Sequence, residues 1–483
     1  MNRKYLLLSF LTPLLVRTVP EILSWPYPIG FDTLIYAGAA INEKALQAPP
    51  QQIFKTTSLL YIIYTLLYKL LGDPLLPAKI LGPVLTGLVG LAAYHLARAL
   101  SYPERTALLA SALATTYFVA LRISWEMYRQ MLATIFLLAY LATESRNPKG
   151  LKLLALPALA FLTAWSHEFI TVILMTHAFI QTLTSPSLKK AAQRALPSLP
   201  AAILFLYQLY NPQKNTLEVF HTTLYYPSQL QFTAYALGFL AYLYLPLAPL
   251  LAFGLQALKN PPLKNWTATC LTLTLLPAIT PNMDFLWFRW TILLVYPIAF
   301  ASALGAEKLL NGQTPLKPRT ARVIALSTLI LNAVFTATYL VLPPEHQYNK
   351  YFGDWNPYKH YIQTSMLQSS IPLQDVEPTI QAALWVDSQP GNKTLVLHEA
   401  FHNWAQLYAR NTKLVRVNEQ KLSSPIRENT SRLLLAVAQA YSCNSTIYTI
   451  WWLNNTWYNM TTPPPQFTPV KTFKDIAVYI YNP

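Results

Sequence analysis

The sequence predicts a polytopic α-helical membrane protein carrying a C-terminal α/β domain outside the bilayer. Three observations predict it. Of 483 residues, 53% are hydrophobic and only 12% charged, where a soluble domain has about 25% charged. Apolar runs recur from Tyr5 to Leu342 and then stop. The remaining stretch, roughly the size of one domain, alternates helix and strand patterns. The expected division is therefore a transmembrane domain over 1–342 and an extracytoplasmic domain over 343–483.

The first element is the run that follows Met1-Asn2-Arg3-Lys4. It resembles a signal peptide, but it ends in Arg17-Thr-Val-Pro-Glu21 with no small-residue cleavage site, so it reads as an uncleaved first helix. Further apolar segments follow at 57–72, 77–99, 106–122, 130–143, 153–166, 169–184, 196–210, 232–256, 266–280, 288–305 and 321–342. Several are shorter than the ~20 residues of a straight span, which predicts breaks or tilts.

Loop charge fixes the topology. The formal charge of +16 sits mostly in short loops, the positive-inside pattern rather than a nucleic-acid surface. With Arg3 and Lys4 in the cytoplasm and every segment spanning, the clusters Arg98/Arg105, Arg146/Lys149/Lys152, Lys189/Lys190/Arg194, Lys259/Lys264 and Lys308/Lys317/Arg319/Arg322 would face outward. Taking 57–72 out of the membrane turns them all inward. That segment is short, and Tyr61, Tyr64 and Tyr68 share one face. It is read as an interfacial helix, leaving about 11 transmembrane helices in a cell-membrane protein, with the N-terminus cytoplasmic and the tail outside. Sequons at Asn392, Asn429, Asn444, Asn454 and Asn459 lie in that tail, and Asn265 in an inner loop. Cys270 lies in an apolar run and Cys443 in the tail, so no internal disulfide is expected.

The tail reads as helix 374–388, strand 394–398, helices 402–410 and 431–441, and strands 446–453 and 477–481. It contains His398-Glu399-Ala400-Phe401-His402, a zinc-protease signature as a string. The preceding Leu395–Leu397 is strand-like, whereas the signature needs one longer helix.

The candidate chemistry centres on Trp25–Ala40, WPYPIGFDTLIYAGAA. It places one carboxylate, Asp32, at a membrane–water boundary, where an acid is costly unless it has a partner or a task. Its bland reading is a helix cap. In the next outer loop, RISWEMYRQ, a helix would put Arg122, Glu126 and Arg129 along one face. Arg129 suits a phosphate; the alternative is a weak surface ion pair. His167 and Glu168 form a polar turn between two apolar segments. His177 reads as a packed, hydrogen-bonded histidine. Arg289, flanked by Trp287 and Trp290 and with Asp284 nearby, can meet an anionic headgroup or snorkel to lipid.

A first helix, an outer loop with an acid and then a surface helix resembles the GT-C glycosyltransferase superfamily, in particular protein O-mannosyltransferases, aminoarabinose transferases and oligosaccharyltransferase catalytic subunits. Leu81–Leu100, Tyr102-Pro-Glu-Arg105 and the run after it are similar to the second and third spans of that group. An archaeal member is the form suggested. The resemblance implies transfer of a sugar from a polyprenyl (dolichyl) phosphate carrier to a glycan or protein acceptor on the outer face, with inversion. It assigns Asp32 as general base or metal-binding acid, and makes a divalent metal (Mg or Mn) a candidate cofactor. Arg129 and Arg289 become donor-phosphate ligands, and Glu126, His167 and Glu168 acceptor or metal candidates. The bilayer is a partner and nucleic acid is not. The chain departs from the group in showing one acid, Phe31-Asp32-Thr33, where relatives often pair two. The WWDYG motif is also absent; Trp451-Trp452-Leu453-Asn454 reads as a strand. The competing classes are a transporter or flippase of lipid-linked glycans, for which internal repeats are expected and none is seen, and the membrane zinc protease through His398 and His402.

Overall fold

The computed structural model describes residues 2–210, 228–280, 286–346, 349–353, 356–417, 426–442, 445–453 and 463–482. It forms two compact units. One comprises Met1–Pro20, Lys44–Ile63 and Lys79–Met366; the other comprises Glu21–Glu43, Tyr64–Ala78 and Leu367–Pro483.

The helices in order are α1 (Arg3–Leu23), α2 (Asp32–Ile41), α3 (Lys44–Gln47), α4 (Pro50–Lys55), α5 (Leu59–Leu71), α6 (Leu76–Ala99), α7 (Glu104–Thr116), α8 (Phe118–Glu126), α9 (Tyr128–Ser145), α10 (Ala155–Ser166) and α11 (Glu168–Leu183). They continue with α12 (Leu188–Ala195), α13 (Leu199–Leu209), α14 (Gln229–Tyr244), α15 (Ala248–Gly254), α16 (Pro261–Leu275), α17 (Trp287–Leu293), α18 (Val295–Leu310) and α19 (Pro318–Val341). Every apolar segment of the sequence becomes helix, several of them interrupted. Among the described residues five helices are long and apolar enough to cross a membrane, or six if α7 and α8, bent by 55°, make one span. Prolines mark many interruptions: Pro197 and Pro200 before and in α13, Pro246 before and Pro249 in α15, and Pro277 after α16. Proline lacks the N–H that a helix start leaves unused, so it begins a helix well and ends the one before it.

The first unit is a stack of helices in which the stretch Trp287–Leu310, α17 and α18, is the most buried of the long spans. α15 and α18 approach until their backbones meet. A Cβ on Gly254 would collide with the Ala301 carbonyl, and one on Gly305 with the Leu250 carbonyl. Small residues at a crossing replace side-chain packing with direct backbone contact, the usual way to tighten helices in lipid. His177 is buried as expected: Nε2 lies 2.8 Å from Glu144 Oε2 and Nδ1 3.2 Å from Asn265 Nδ2. Asn265 is therefore not in a loop. It sits in α16, 3% exposed, because Pro261 and Pro262 start that helix earlier than the apolar run does.

The second unit is built on a five-stranded sheet of order β2-β1-β3-β5-β4, with β1 (Lys393–His398), β2 (Lys413–Val417), β3 (Thr446–Trp452), β4 (Phe467–Phe473) and β5 (Ile476–Tyr481). β1 runs parallel to β2 and β3; β5 runs antiparallel to β3 and β4. Helices α20 (Leu373–Ser388), α21 (Glu399–Tyr408) and α22 (Ile426–Tyr441) accompany it. The sequence shows the three central strands and misses both edges. β2 is half-buried and β4 mostly exposed, β4 with a register shift after Pro469, so neither presents the alternation or apolar run that marks a buried strand.

Candidate active site

In the first unit the site is built on two helix breaks. Between α7 and α8, Tyr117 is extended (φ −62°, ψ 140°). Between α8 and α9, Met127 leaves helical geometry (φ −85°, ψ 52°). The second break frees the last carbonyls of α8. Arg17, buried in α1, satisfies one of them: its Nε and Nη2 donate to the Ser124 carbonyl at 3.2 and 3.1 Å. The guanidinium fits because residue 82 is glycine; a Cβ there would lie 2.8 Å from Arg17 Nη2 and from the Tyr128 hydroxyl.

The break also separates residues that a continuous helix would align. Arg122 and Glu126 stay together on α8 as an ion pair of 2.7 Å, and both are buried, so this is an internal rather than a surface pair. Arg122 Nε donates to the Tyr361 carbonyl at 2.8 Å, and the Trp125 indole N–H to the Met366 carbonyl at 3.1 Å. Arg129 falls on α9 and turns to another partner. Its Nη2 lies 3.0 Å from Glu168 Oε2 and donates to the Thr57 hydroxyl; its guanidinium faces the Tyr61 ring at 5.9 Å.

Glu168 opens α11, so its carboxylate sits where the helix dipole is positive. His167 caps that helix. Its backbone is extended (φ −162°), and its Nδ1 accepts the Phe169 N–H at 3.2 Å. The adjacent pair thus divides: His167 serves the helix and Glu168 serves Arg129. Phe169, the next residue, lies under the Arg289 guanidinium at 5.8 Å and packs on Trp290 at 4.8 Å. Arg289 lies in the first turn of α17, after Leu286 in the left-handed region (φ 48°). Its Nε is buried and meets no acceptor among the described residues. The start of α11 therefore gathers both predicted arginines, through Glu168 and Phe169. Asp284 lies outside the described residues.

In the second unit, Asp32 is the first residue of α2 and half-buried. The cap position is Phe31, which makes no side-chain capping bond. The turn ahead of it uses Gly30 at φ 94°, a conformation open to glycine, and Thr33 Oγ1 donates to the Gly30 carbonyl at 2.7 Å. The His398–His402 string has the wrong local structure for a zincin. His398 ends β1 and caps α21, its Nδ1 accepting the Ala400 N–H at 3.2 Å, while Glu399 pairs with Arg416. Burial and the Arg416 charge push the His402 imidazole down to about 4.

No three His, Cys, Asp or Glu side chains group as a metal set among the described residues. In the first unit Glu126 and Glu168 are each held by an arginine. Among the described residues the candidate donors do not gather as a metal site.

The fold has solved counterparts. The chain superposes on ArnT from Cupriavidus metallidurans with a TM-score of 0.54 at 12% identity, over 99% of this chain and 98% of that one. It matches the oligosaccharyltransferase AglB from Archaeoglobus fulgidus, solved with an inhibitory peptide and a dolichol-phosphate, at 0.54 and 12%, over 93% and 69%. The arabinofuranosyltransferase AftD from Mycobacteria matches at 0.57 and 14%, over 100% of this chain and 40% of that one. The chain shares the fold of these solved structures. No family model matches the sequence, and no curated protein does. At these identities the likeness speaks for the fold, and the chemistry has to come from the side chains. Among those, sequence reasoning missed Thr57, Phe169 and Arg17. Only Arg17, a charge within an apolar run, left a signal.

Proposed function

We propose that this chain is a membrane glycosyltransferase that moves a sugar from a polyprenyl (dolichyl) phosphate carrier to a glycan or protein acceptor on the outer face, with inversion. The observation that carries the reading is the gathering of Arg129 and Arg289 at the N-terminal turn of α11, an anion site made of a helix dipole and two guanidinium groups. Glu168 already balances Arg129, so Arg289, with its buried Nε, is the cation left for a phosphate.

Each residue then has a role. Asp32 takes the acceptor proton as the acceptor atom attacks the anomeric carbon. The bond from that carbon to the phosphate oxygen breaks, and the carrier leaves as a phosphate whose negative charge Arg289 and Arg129 stabilise. Such a leaving group needs no general acid. Glu168 holds Arg129, and His167 fixes the start of α11. Glu126 holds Arg122 and with it the turn between α8 and α9. The concentration of Lys and Arg in short loops supports a cytoplasmic N-terminus and an outer 343–483 region by the positive-inside rule.

The test is incubation of the purified protein with a panel of dolichyl- and undecaprenyl-phosphate sugars plus acceptor extracts, following release of the carrier phosphate. Asp32→Asn is expected to lower turnover by about 10²- to 10⁴-fold, the range of a lost general base, with dolichyl phosphate still bound. Carrier release from Asp32→Asn at the wild-type rate would remove Asp32 as the base, and no carrier release by the wild type from any donor of the panel would remove the enzyme reading.

A further inference from the structure

The second unit joins three stretches of chain, and two of them, the segment that carries Asp32 and residues from 367 onward, lie far apart in sequence. Within it, the buried face of α2 presents Leu34, Ala37 and Ala40, and that helix packs against α21. The contact is close because residue 38 is glycine. A Cβ there would lie 2.6 Å from the Gln406 amide carbon and 2.8 Å from its nitrogen and oxygen. Lying across this gap, Gln406 donates its Nε2 to the Leu34 carbonyl on α2 and to the Asn403 carbonyl on its own helix, both at 3.2 Å. One side chain thus ties the two helix backbones together.

The turn before α2 is held by neighbouring residues. The Gly30 N–H donates to the Gln368 carbonyl at 3.1 Å. The Tyr27 hydroxyl donates to Glu377, and its ring meets Trp404 edge-on at 5.7 Å. Burial and the Glu377 carboxylate raise the Tyr27 phenol far above its ordinary range, so it stays a donor at any physiological pH. Asp32 lies between these fastenings, two residues after Gly30 and two before Leu34.

We propose that α21 is the element that positions Asp32, and that Gln406 is its positioning residue. The C-terminal part of the chain is then part of the catalytic apparatus rather than an accessory. This rests on the reading of Asp32 as the base. A general base has to be held within hydrogen-bond reach of its proton, and a displacement of about 1 Å costs about 10²-fold in rate. A helix of ten residues has little stability of its own, so α2 depends on what it packs against.

The test uses the full chain in lipid nanodiscs, with three variants: Gln406→Ala, Gln406→Glu and Gly38→Leu. Hydrogen exchange is read on peptides covering 27–41. Carrier release is read with whichever dolichyl-phosphate sugar the wild type turns over. All three are expected to raise exchange in 32–41 at least tenfold. They should lower kcat at least tenfold, with the donor KM unchanged within twofold and Tm unchanged within about 2 °C. The glutamate keeps the size of Gln406 and lacks the amide N–H, so wild-type exchange and kcat in Gln406→Glu would overturn the proposal. So would wild-type kcat in Gly38→Leu alongside raised exchange. If Asp32→Asn leaves carrier release intact while the Gln406 variants still loosen 32–41, the base assignment fails and the fastening stands. If Asp32→Asn abolishes release while Gln406→Ala changes neither measurement, the fastening fails alone.

Discussion

Arg289 and His402 show how a single side chain draws its properties from its surroundings. Arg289 stacks on Phe169 with a buried Nε. In Arg289→Met, dolichyl phosphate is expected to bind at least tenfold more weakly, and Arg289→Lys is expected to recover little of this. An ammonium keeps the charge but loses the planar stacking and the second donor. Equal affinities of wild type and Arg289→Met, titrated in nanodiscs, would remove Arg289 from the phosphate site. His402 gives a pH dependence. Its imidazole titrates at about 4 in the folded chain and at about 6.5 in the unfolded one. The folded state resists the proton, so this residue's contribution is whole above pH 6.5 and shrinks as pH falls towards 4. Between pH 7 and pH 5 the C-terminal unit is expected to lose on the order of 1–2 kcal/mol, allowing for the partial exposure of the ring. Urea unfolding of His402→Asn, followed by tryptophan emission, should show a flatter dependence. Arg289 was legible in the sequence because tryptophans flank a lone charge there. The role of His402 was not, because it depends on Arg416 from the neighbouring strand.

At the scale of elements, the breaks around α8 decide which charges meet. Helical periodicity placed Arg122, Glu126 and Arg129 on one face. The turn at Met127 leaves the first two paired and sends the third to Glu168. Nothing in the stretch Ser124–Gln130 announces that turn; it contains no proline or glycine. The turn is kept by tertiary bonds: Arg17 donates to the Ser124 carbonyl, and Arg122 and Trp125 donate to the carbonyls of Tyr361 and Met366. Arg17→Met is therefore expected to cost about 1.5–3 kcal/mol, the worth of hydrogen bonds from a charged donor, and to raise hydrogen exchange at 122–129 above that of the neighbouring helices. Glu126→Gln should cost more, about 3–5 kcal/mol, because it strands the buried Arg122 charge. Thermal unfolding in detergent would rank the two, and the reverse order would contradict this account of the turn. Helix existence was readable because apolar runs are long. The internal ends were readable only where proline marks them.

For the molecule as a whole, composition and loop charge were enough to reach a helical membrane protein with a small sheet at its C-terminal end. They could not show that the residues around Asp32 fold with those after 367, since that pairing is carried by Gly38, Gln406 and a few backbone bonds with no pattern along the chain. Topology is the expectation that belongs to this scale. Lys190→Cys is expected to react with an impermeant maleimide only after the cells are opened, and Gly391→Cys in intact cells. Gly391 has positive φ and open space around it, so Asn392→Cys is a second reporter with less backbone strain. Labelling of Lys190→Cys from outside would invert the orientation and place the proposed chemistry on the wrong side.

The meeting of Gly254 with Ala301 and of Gly305 with Leu250 has a mechanical consequence. Two rods touching at the main chain have no side chains between them to repack, so they cannot slide or rotate against each other by small steps. α18 is in effect a fixed post, and α17, with Arg289, joins its end at Leu294 and packs against α16 and α14. A lipid headgroup arriving at Arg289 would find a rigid bracket already in position. Recognition there would follow the lock-and-key limit, with adaptation left to the incoming molecule.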